Sequence, residues 1–275
     1  MQLVKASKKQ VKLRLGLSAV SGGGKTYSAL LIAYGLCNDW TKIAVVDTEN
    51  DSASLYSDLG AYNVLPLQSP YSPERYIEAI KTCEDSGMEV IIVDSITHEW
   101  DGKGGLLEIH NQMTGNSFTN WASLTPRHQK FIDAILSSKC HVITTVRRKQ
   151  DYEMSKDSTG KVKVEKAGLK EITREGFEYE LTLNLELDTK HNCKASKDRT
   201  GLFIDKPEFV PTIETGKLIK AWCESGVDPI KEAVISLQKC TTLEGLQSVW
   251  VSLNKSIQVE VEQTKEEMKT KLTVA

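Results

Sequence analysis

The spacing of apolar positions changes several times along the chain, and each change predicts an element. Leu13, Leu15, Leu17 and Ala19 alternate as a strand does, and Tyr27 to Leu36 then has the composition of a helix. Ile43 to Val46 and Val90 to Val93 are unbroken apolar runs, the pattern of strands covered on both faces. DSASLYSDLG between them reads as a helix stopped at Gly60, and NVLPLQ as a short strand. Pro73 opens and Gly87 closes a further helix. After a Gly-rich stretch from Asp101 to Asn120, Thr125 and Pro126 read as the N-cap and first residue of another helix, followed by the strand HVITTVR.

This alternation predicts an α/β fold with a mostly parallel central sheet and helices on both faces. From Arg147 the pattern turns polar, and KDSTG marks the turn of a hairpin. LTLNLELD and HNCKAS form an antiparallel extension, with Leu181, Leu183, Leu185 and Leu187 on one face. Three amphipathic helical patterns follow, one carrying Leu243, Leu246, Val249, Trp250 and Leu253 on a single face. The expected division is a core over residues 1–223 and a small C-terminal helical module over 224–275, hinged at ESGVDP. Met1 to Gln10 reads as a basic lead-in.

With 275 residues, 40% hydrophobic and 26% charged, and a net charge of −2, the chain is neither strongly basic nor membrane-spanning in character. No signal-peptide pattern opens it. Six cysteines are scattered without a C-x-x-C pair and five histidines lack metal spacing, which predicts reduced thiols, a cytoplasmic setting and no structural zinc.

The stretch AVSGGGKT changes the picture. Three glycines free the backbone for positive φ, so that main-chain N–H groups converge ahead of a helix N-terminus, where anions bind. Ala19, Gly24, Lys25 and Thr26 satisfy the A/G-x-x-x-x-G-K-S/T pattern, between a strand and a helix as that motif requires. Ser21, Gly22, Gly23, Gly24, Lys25, Thr26 and Tyr27 are therefore the expected nucleotide-binding segment. Lys25 is placed on the β- and γ-phosphates and Thr26 on Mg²⁺.

Acidic residues at strand ends supply the rest, because ligands of parallel sheets sit beyond the carboxyl ends of strands. Asp47, Glu49 and Asp94 qualify, and VIIVDS delivers Asp94 as a Mg²⁺-holding carboxylate. Glu49 is the first choice to orient the attacking water and Glu99 the alternative. Lys197 and Arg199 alternate on one strand edge, either as a solvated basic end or as cations offered to a neighbouring subunit's phosphates.

These residues together resemble RecA-like recombinase ATPases, most closely the short versions encoded by bacteriophages and prophages. The resemblance runs from Leu13 to about Gly201. VVDTEN resembles the family's D-x-E strand end and implies that Glu49 positions water. VIIVDS resembles the strand bearing the metal carboxylate. Thr145, in VITTVR, stands where the family has a γ-phosphate-sensing glutamine. KDR, at Lys197 to Arg199, is similar to the pair that reaches across subunits, implying a homo-oligomer, ring or filament. The stretch from about Arg148 to Phe177 matches the family's second DNA-binding loop. Residues 147–170 hold eight basic and four acidic residues, a net +4. Arg147, Arg148, Lys149, Tyr152, Lys161 and Lys163 are the DNA-binding candidates, with an ordinary solvated hairpin as the competing reading.

The leading expectation is an ATP- and Mg²⁺-dependent ATPase acting on single-stranded DNA in phage-type recombination or annealing. The rival is a nucleotide-driven switch or loader that holds a protein partner through its helical tail. A small-molecule kinase fits the KDR strand and long hairpin poorly.

Overall fold

The structure is a computed structural model that describes residues 8–156 and 162–274, and the side chains of these except 152–167 and 274. In chain order its elements are β1 (Arg14–Ala19), α1 (Lys25–Cys37), β2 (Ile43–Asp47), β3 (Asn63–Pro66), α2 (Pro73–Asp85) and β4 (Val90–Asp94). Three helices follow, α3 (Thr97–Asp101), α4 (Leu106–Gln112) and α5 (Ser117–Ser137), then β5 (His141–Lys156), β6 (Val162–Glu171), α6 (Phe177–Glu180), β7 (Leu183–Leu187) and β8 (Cys193–Asp198). Helices α7 (Ile213–Glu224), α8 (Pro229–Gln238), α9 (Leu243–Ser252) and α10 (Lys255–Val274) complete it.

The strands form one sheet in the order β3-β2-β4-β5-β1-β7-β8, with β6 paired to β5 off this path. The six strands from β3 to β7 are parallel, while β8 runs antiparallel to β7 and β6 antiparallel to β5. Every residue of β2 and β4 is buried, as their apolar runs require, and so is every residue of the alternating β1, Arg14 and Ser18 included. The four leucines at 181, 183, 185 and 187 are each at most 3% exposed. One core cluster beneath the sheet includes Tyr76 and Ile80 of α2, Phe131 and Ile135 of α5, and Val93 and Val142 of the sheet.

Three local expectations change. The helix containing Pro126 begins at Ser117, capped by Asn116, whose side chain accepts from Phe118 N at 2.8 Å. Thr125 is no N-cap because its hydroxyl turns back to the Trp121 carbonyl at 2.8 Å, so Pro126 lies inside the helix. Residues Ser52–Leu59 form 3-10 turns with a kink at Tyr56 instead of an α-helix. Gly60 does follow them, but its reason is close approach: a Cβ there would lie 2.3 Å from the Trp40 ring. The strand HVITTVR and the first arm of the polar hairpin are one continuous strand, β5, paired first with β1 and β4 and then with β6.

Residues 12–220 make one compact unit. Within it α1 and α7 cross backbone to backbone, since a Cβ on Gly35 would lie 2.2 Å from the Ile213 carbonyl and one on Gly216 2.2 Å from that of Ile32. The second unit joins residues 8–11 to 221–274. There Lys8 to Gln10 are more than a lead-in: Val227 N donates to Lys8 O at 2.8 Å and Gln10 N to Val227 O at 2.9 Å. Its core gathers Ala233, Leu237, Leu246, Val261 and Met268 with Val249, Trp250 and Leu253 against them, whereas Leu243 stays 45% exposed.

His141 opens β5 as a buried acceptor, taking the Leu13 N–H on Nδ1 at 3.1 Å. Burial, followed by the charges of Lys12, Arg14 and Lys220, pushes its imidazole from 6.5 down to about 3. The unfolded chain therefore takes up this proton first, and stability falls as pH drops from 6.5 towards 3, by up to about 1.4 kcal/mol per pH unit. Urea unfolding of His141→Gln, which keeps an acceptor and loses the titration, should show a flatter acid slope than wild type. Equal slopes would mean that other groups account for the acid loss.

Candidate active site

The sheet order explains how the motif residues meet. β1, which leads into the glycine loop, and β4, which ends in Asp94, are not neighbours, because β5 lies between them. The loop itself needs its glycines. Gly22 and Gly24 have φ of 77° and 82°, and a Cβ on Gly23 would lie 2.7 Å from that of Ala19. Gly24 is the N-cap of α1, so Lys25 and Thr26 form that helix's first turn.

Asp94 is 1% exposed, and both of its carboxylate oxygens are taken. Thr26 Oγ1 donates to Oδ2 and Thr145 Oγ1 to Oδ1, each at 2.5 Å. Burial raises its pKa against the pull of these two hydroxyls. Lys25 is also buried, and its ammonium donates to Val20 O at 3.2 Å. Burial lowers its pKa, opposed first by Asp94 and then by Glu49.

Asp47 shapes the loop that carries Glu49. Its carboxylate accepts from Glu49 N at 2.6 Å and from Ala53 N at 2.9 Å, which folds the chain back after β2. The Glu49 carboxylate meets the Arg147 guanidinium through two contacts, Nη2 to Oε2 at 2.5 Å and Nε to Oε1 at 2.8 Å. Burial alone would raise its pKa; the Arg147 hydrogen bonds and charge, with Lys25 beyond, outweigh that and hold it below the ordinary carboxylate value. Arg147 is anchored in turn by Thr97 Oγ1, which accepts its backbone N–H at 2.9 Å.

Lys25, Thr26, Asp94, Glu49 and Arg147 line one cavity of about 500 Å³. Its walls also hold Tyr27, Tyr56 and Leu55, with the Tyr27 and Tyr56 rings edge to face at 5.8 Å. Ser21, Gly22 and Gly24 lie in the lining, and Gly23 does not. Thr145 does not. It is fully buried behind Asp94, with its hydroxyl committed to that carboxylate. Glu99 is fully buried elsewhere, its carboxylate 3.0 Å from His128 Nδ1, so of the two candidate glutamates Glu49 alone faces the cavity.

Other expected residues are dispersed. Lys197 Nζ reaches Glu178 O at 2.9 Å and also Tyr179 O, which Arg199 Nη2 contacts at 3.0 Å. The two cations thus cover the last carbonyls of α6 and do not line the cavity of their own chain. Arg148 pairs with Glu186 at 3.0 Å and donates to Leu169 O. Lys149 is exposed. Tyr152 and Lys163 lie on β5 and β6, where only the backbone is described, and Lys161 falls outside the described residues. Two cavity residues, Arg147 in this setting and His191, carried no motif that could announce them.

A family model described as an AAA domain matches residues 11–211, most of the chain. The chain belongs to this family. A search of curated proteins found no match. The AAA domain is a nucleotide-binding domain of the P-loop ATPase type, which agrees with the glycine loop, the lysine and the two strand-end carboxylates that share one cavity here.

The Glu49–Arg147 pair is testable by a double-mutant cycle with Glu49→Gln and Arg147→Met. The pair is partly exposed, with 39% of the Arg147 side chain accessible, so the expected coupling in unfolding free energy is about 1 kcal/mol, shrinking with salt. A coupling of zero at low salt would mean that the two side chains do not meet in solution.

Proposed function

We propose that this AAA domain is a RecA-like ATPase that hydrolyses ATP on single-stranded DNA in phage-type recombination or annealing, in the cytoplasm and as a homo-oligomer. One observation carries the reading: β5 runs without a break from Thr145 on the Asp94 carboxylate, through Arg147 on the Glu49 carboxylate, into the basic hairpin with β6. An event on the hairpin is thereby tied by a single strand to the carboxylate that faces the phosphate cradle.

The division of labour follows from the cavity. The glycine-loop N–H groups and Lys25 bind the phosphates. Thr26 Oγ1 and Asp94 Oδ2 are adjacent hard oxygen donors and suit Mg²⁺, which when bound neutralises phosphate oxygens. Glu49 accepts a hydrogen bond from water and orients it to attack the γ-phosphorus. The new P–O bond forms as the bond to the β–γ bridging oxygen breaks, giving ADP and phosphate. For this the carboxylate must be ionised, which its pairing with Arg147 favours, and must turn from that guanidinium towards the water. Lys197 and Arg199, which do not line their own cavity, would leave the α6 carbonyls to reach a neighbouring copy and stabilise charge on the transferred group there. The hairpin's lysines would follow the DNA backbone.

A second reading, a nucleotide-driven switch that holds a protein partner, draws on Val251 and Val259 of the helical unit, which are 68% and 73% exposed.

Steady-state hydrolysis with and without a single-stranded oligonucleotide, at two salt concentrations, separates them. The DNA reading expects stimulation that fades as salt rises. It also expects Glu49→Gln to slow hydrolysis at least about 100-fold while nucleotide binding persists. Hydrolysis indifferent to DNA would favour the switch. A Glu49→Gln variant with the wild-type rate would remove Glu49 from the mechanism.

A further inference from the structure

The turn between β7 and β8 lies against the glycine loop. Asp188 organises it: its carboxylate accepts from Lys190 N at 2.7 Å and Asn192 N at 2.9 Å, and its carbonyl takes the His191 N–H at 3.2 Å. These bonds hold His191 at a φ of 67°, a left-handed conformation rare for a residue with a side chain. The same turn touches two of the three loop glycines. A Cβ on Gly23 would lie 3.6 Å from the Asp188 carbonyl, and one on Gly24 would lie 2.8 Å from His191 Nδ1. His191 thus rests on the last glycine before Lys25 and lines the same cavity as Lys25, Thr26 and Glu49.

We infer that His191 is a phosphate-binding residue supplied from outside the glycine-lysine motif, its imidazole N–H donating to the triphosphate chain of the bound nucleotide. The inference rests on the nucleotide reading above and adds a contact to it. The physical case has three parts. The ring is held over the N-terminus of α1, where backbone N–H groups and the helix dipole already favour negative charge. The nearest carboxylate of its own turn, Asp188, is occupied by the backbone N–H groups of Lys190 and Asn192, so the ring is left to face the cavity. A turn that holds His191 in a left-handed conformation, pinned by five hydrogen bonds around one aspartate, pre-orders that donor before ligand arrives. The close seat on Gly24 also gives this glycine a second reason to lack a side chain, besides its positive φ.

The test uses the full chain and two substitutions that both tolerate positive φ: His191→Gly, which removes the ring, and His191→Asn, which keeps a short donor. The probe is inorganic tripolyphosphate, which has no base or sugar, competing with a fluorescent ATP analogue. His191→Gly should bind tripolyphosphate about tenfold more weakly than wild type, the size of one hydrogen bond to a charged group. His191→Asn should recover most of that loss. Tripolyphosphate affinity unchanged in His191→Gly overturns the inference. Should the glycine variant fail to fold, His191→Asn against His191→Asp serves instead, since a carboxylate of the same shape must repel the phosphates; equal affinities overturn it. Lys25→Ala separates the two levels of the argument. Binding that needs Lys25 but not His191 sinks this inference alone, whereas no tripolyphosphate or ATP binding by wild type sinks the nucleotide reading with it.

Discussion

A carboxylate with almost no access to water is the constraint around which the rest of this domain is arranged. Ionised and unpartnered, Asp94 would cost several kcal/mol to bury. It is tolerated because Thr26 and Thr145 each give a hydroxyl to one of its oxygens. Those hydroxyls come from α1 and β5, so satisfying one side chain sets the axial position of the glycine-loop helix and the register of β5 against β4. A slip of one residue along β5 would turn Thr145 to the other face of the sheet and leave an oxygen of Asp94 bare. The interposition of β5 between β1 and β4 is what makes the double contact geometrically possible.

The same strand then leaves the core. Its first half is fully enclosed by two parallel neighbours, and its second half has one antiparallel partner. Arg147 stands where these regimes meet, with its backbone fixed by Thr97 and its side chain on Glu49. The polar character that begins at Arg147 in the sequence is therefore no domain boundary. It is the point at which a strand emerges from the sheet while its hydrogen-bonded backbone continues.

Much of this was legible from residue patterns, where a signal is local. Unbroken apolar runs identified β2 and β4, the glycine loop declared its strand and helix, and leucines at every second position marked the β7 face. Signals failed where two local rules compete or where a partner is remote in sequence. Thr125-Pro126 has the chemistry of a helix start, but the threonine's bond to Trp121 satisfied the same hydroxyl from inside a helix. Arg147 reads as one of the hairpin cations because nothing in its neighbourhood indicates a glutamate 98 residues away. Thr145 occupies the expected strand, but its short side chain ends on Asp94. His191 sits in a turn whose sequence is ordinary; only the fold brings it to Gly24.

The crossing of α1 over α7 at Gly35 and Gly216 leaves the two backbones nothing to compress. At its C-terminal end the helix that begins with Lys25 is backed by main chain, while Leu30, Ile32 and Ala33 bury its middle. Slack in the cavity lies on its other walls, in the exposed rings and aliphatic tips of Tyr27, Leu55 and Val210. The firm part of the site is thus its helix, and the exposed part is the rim that Tyr27, Leu55 and Val210 form.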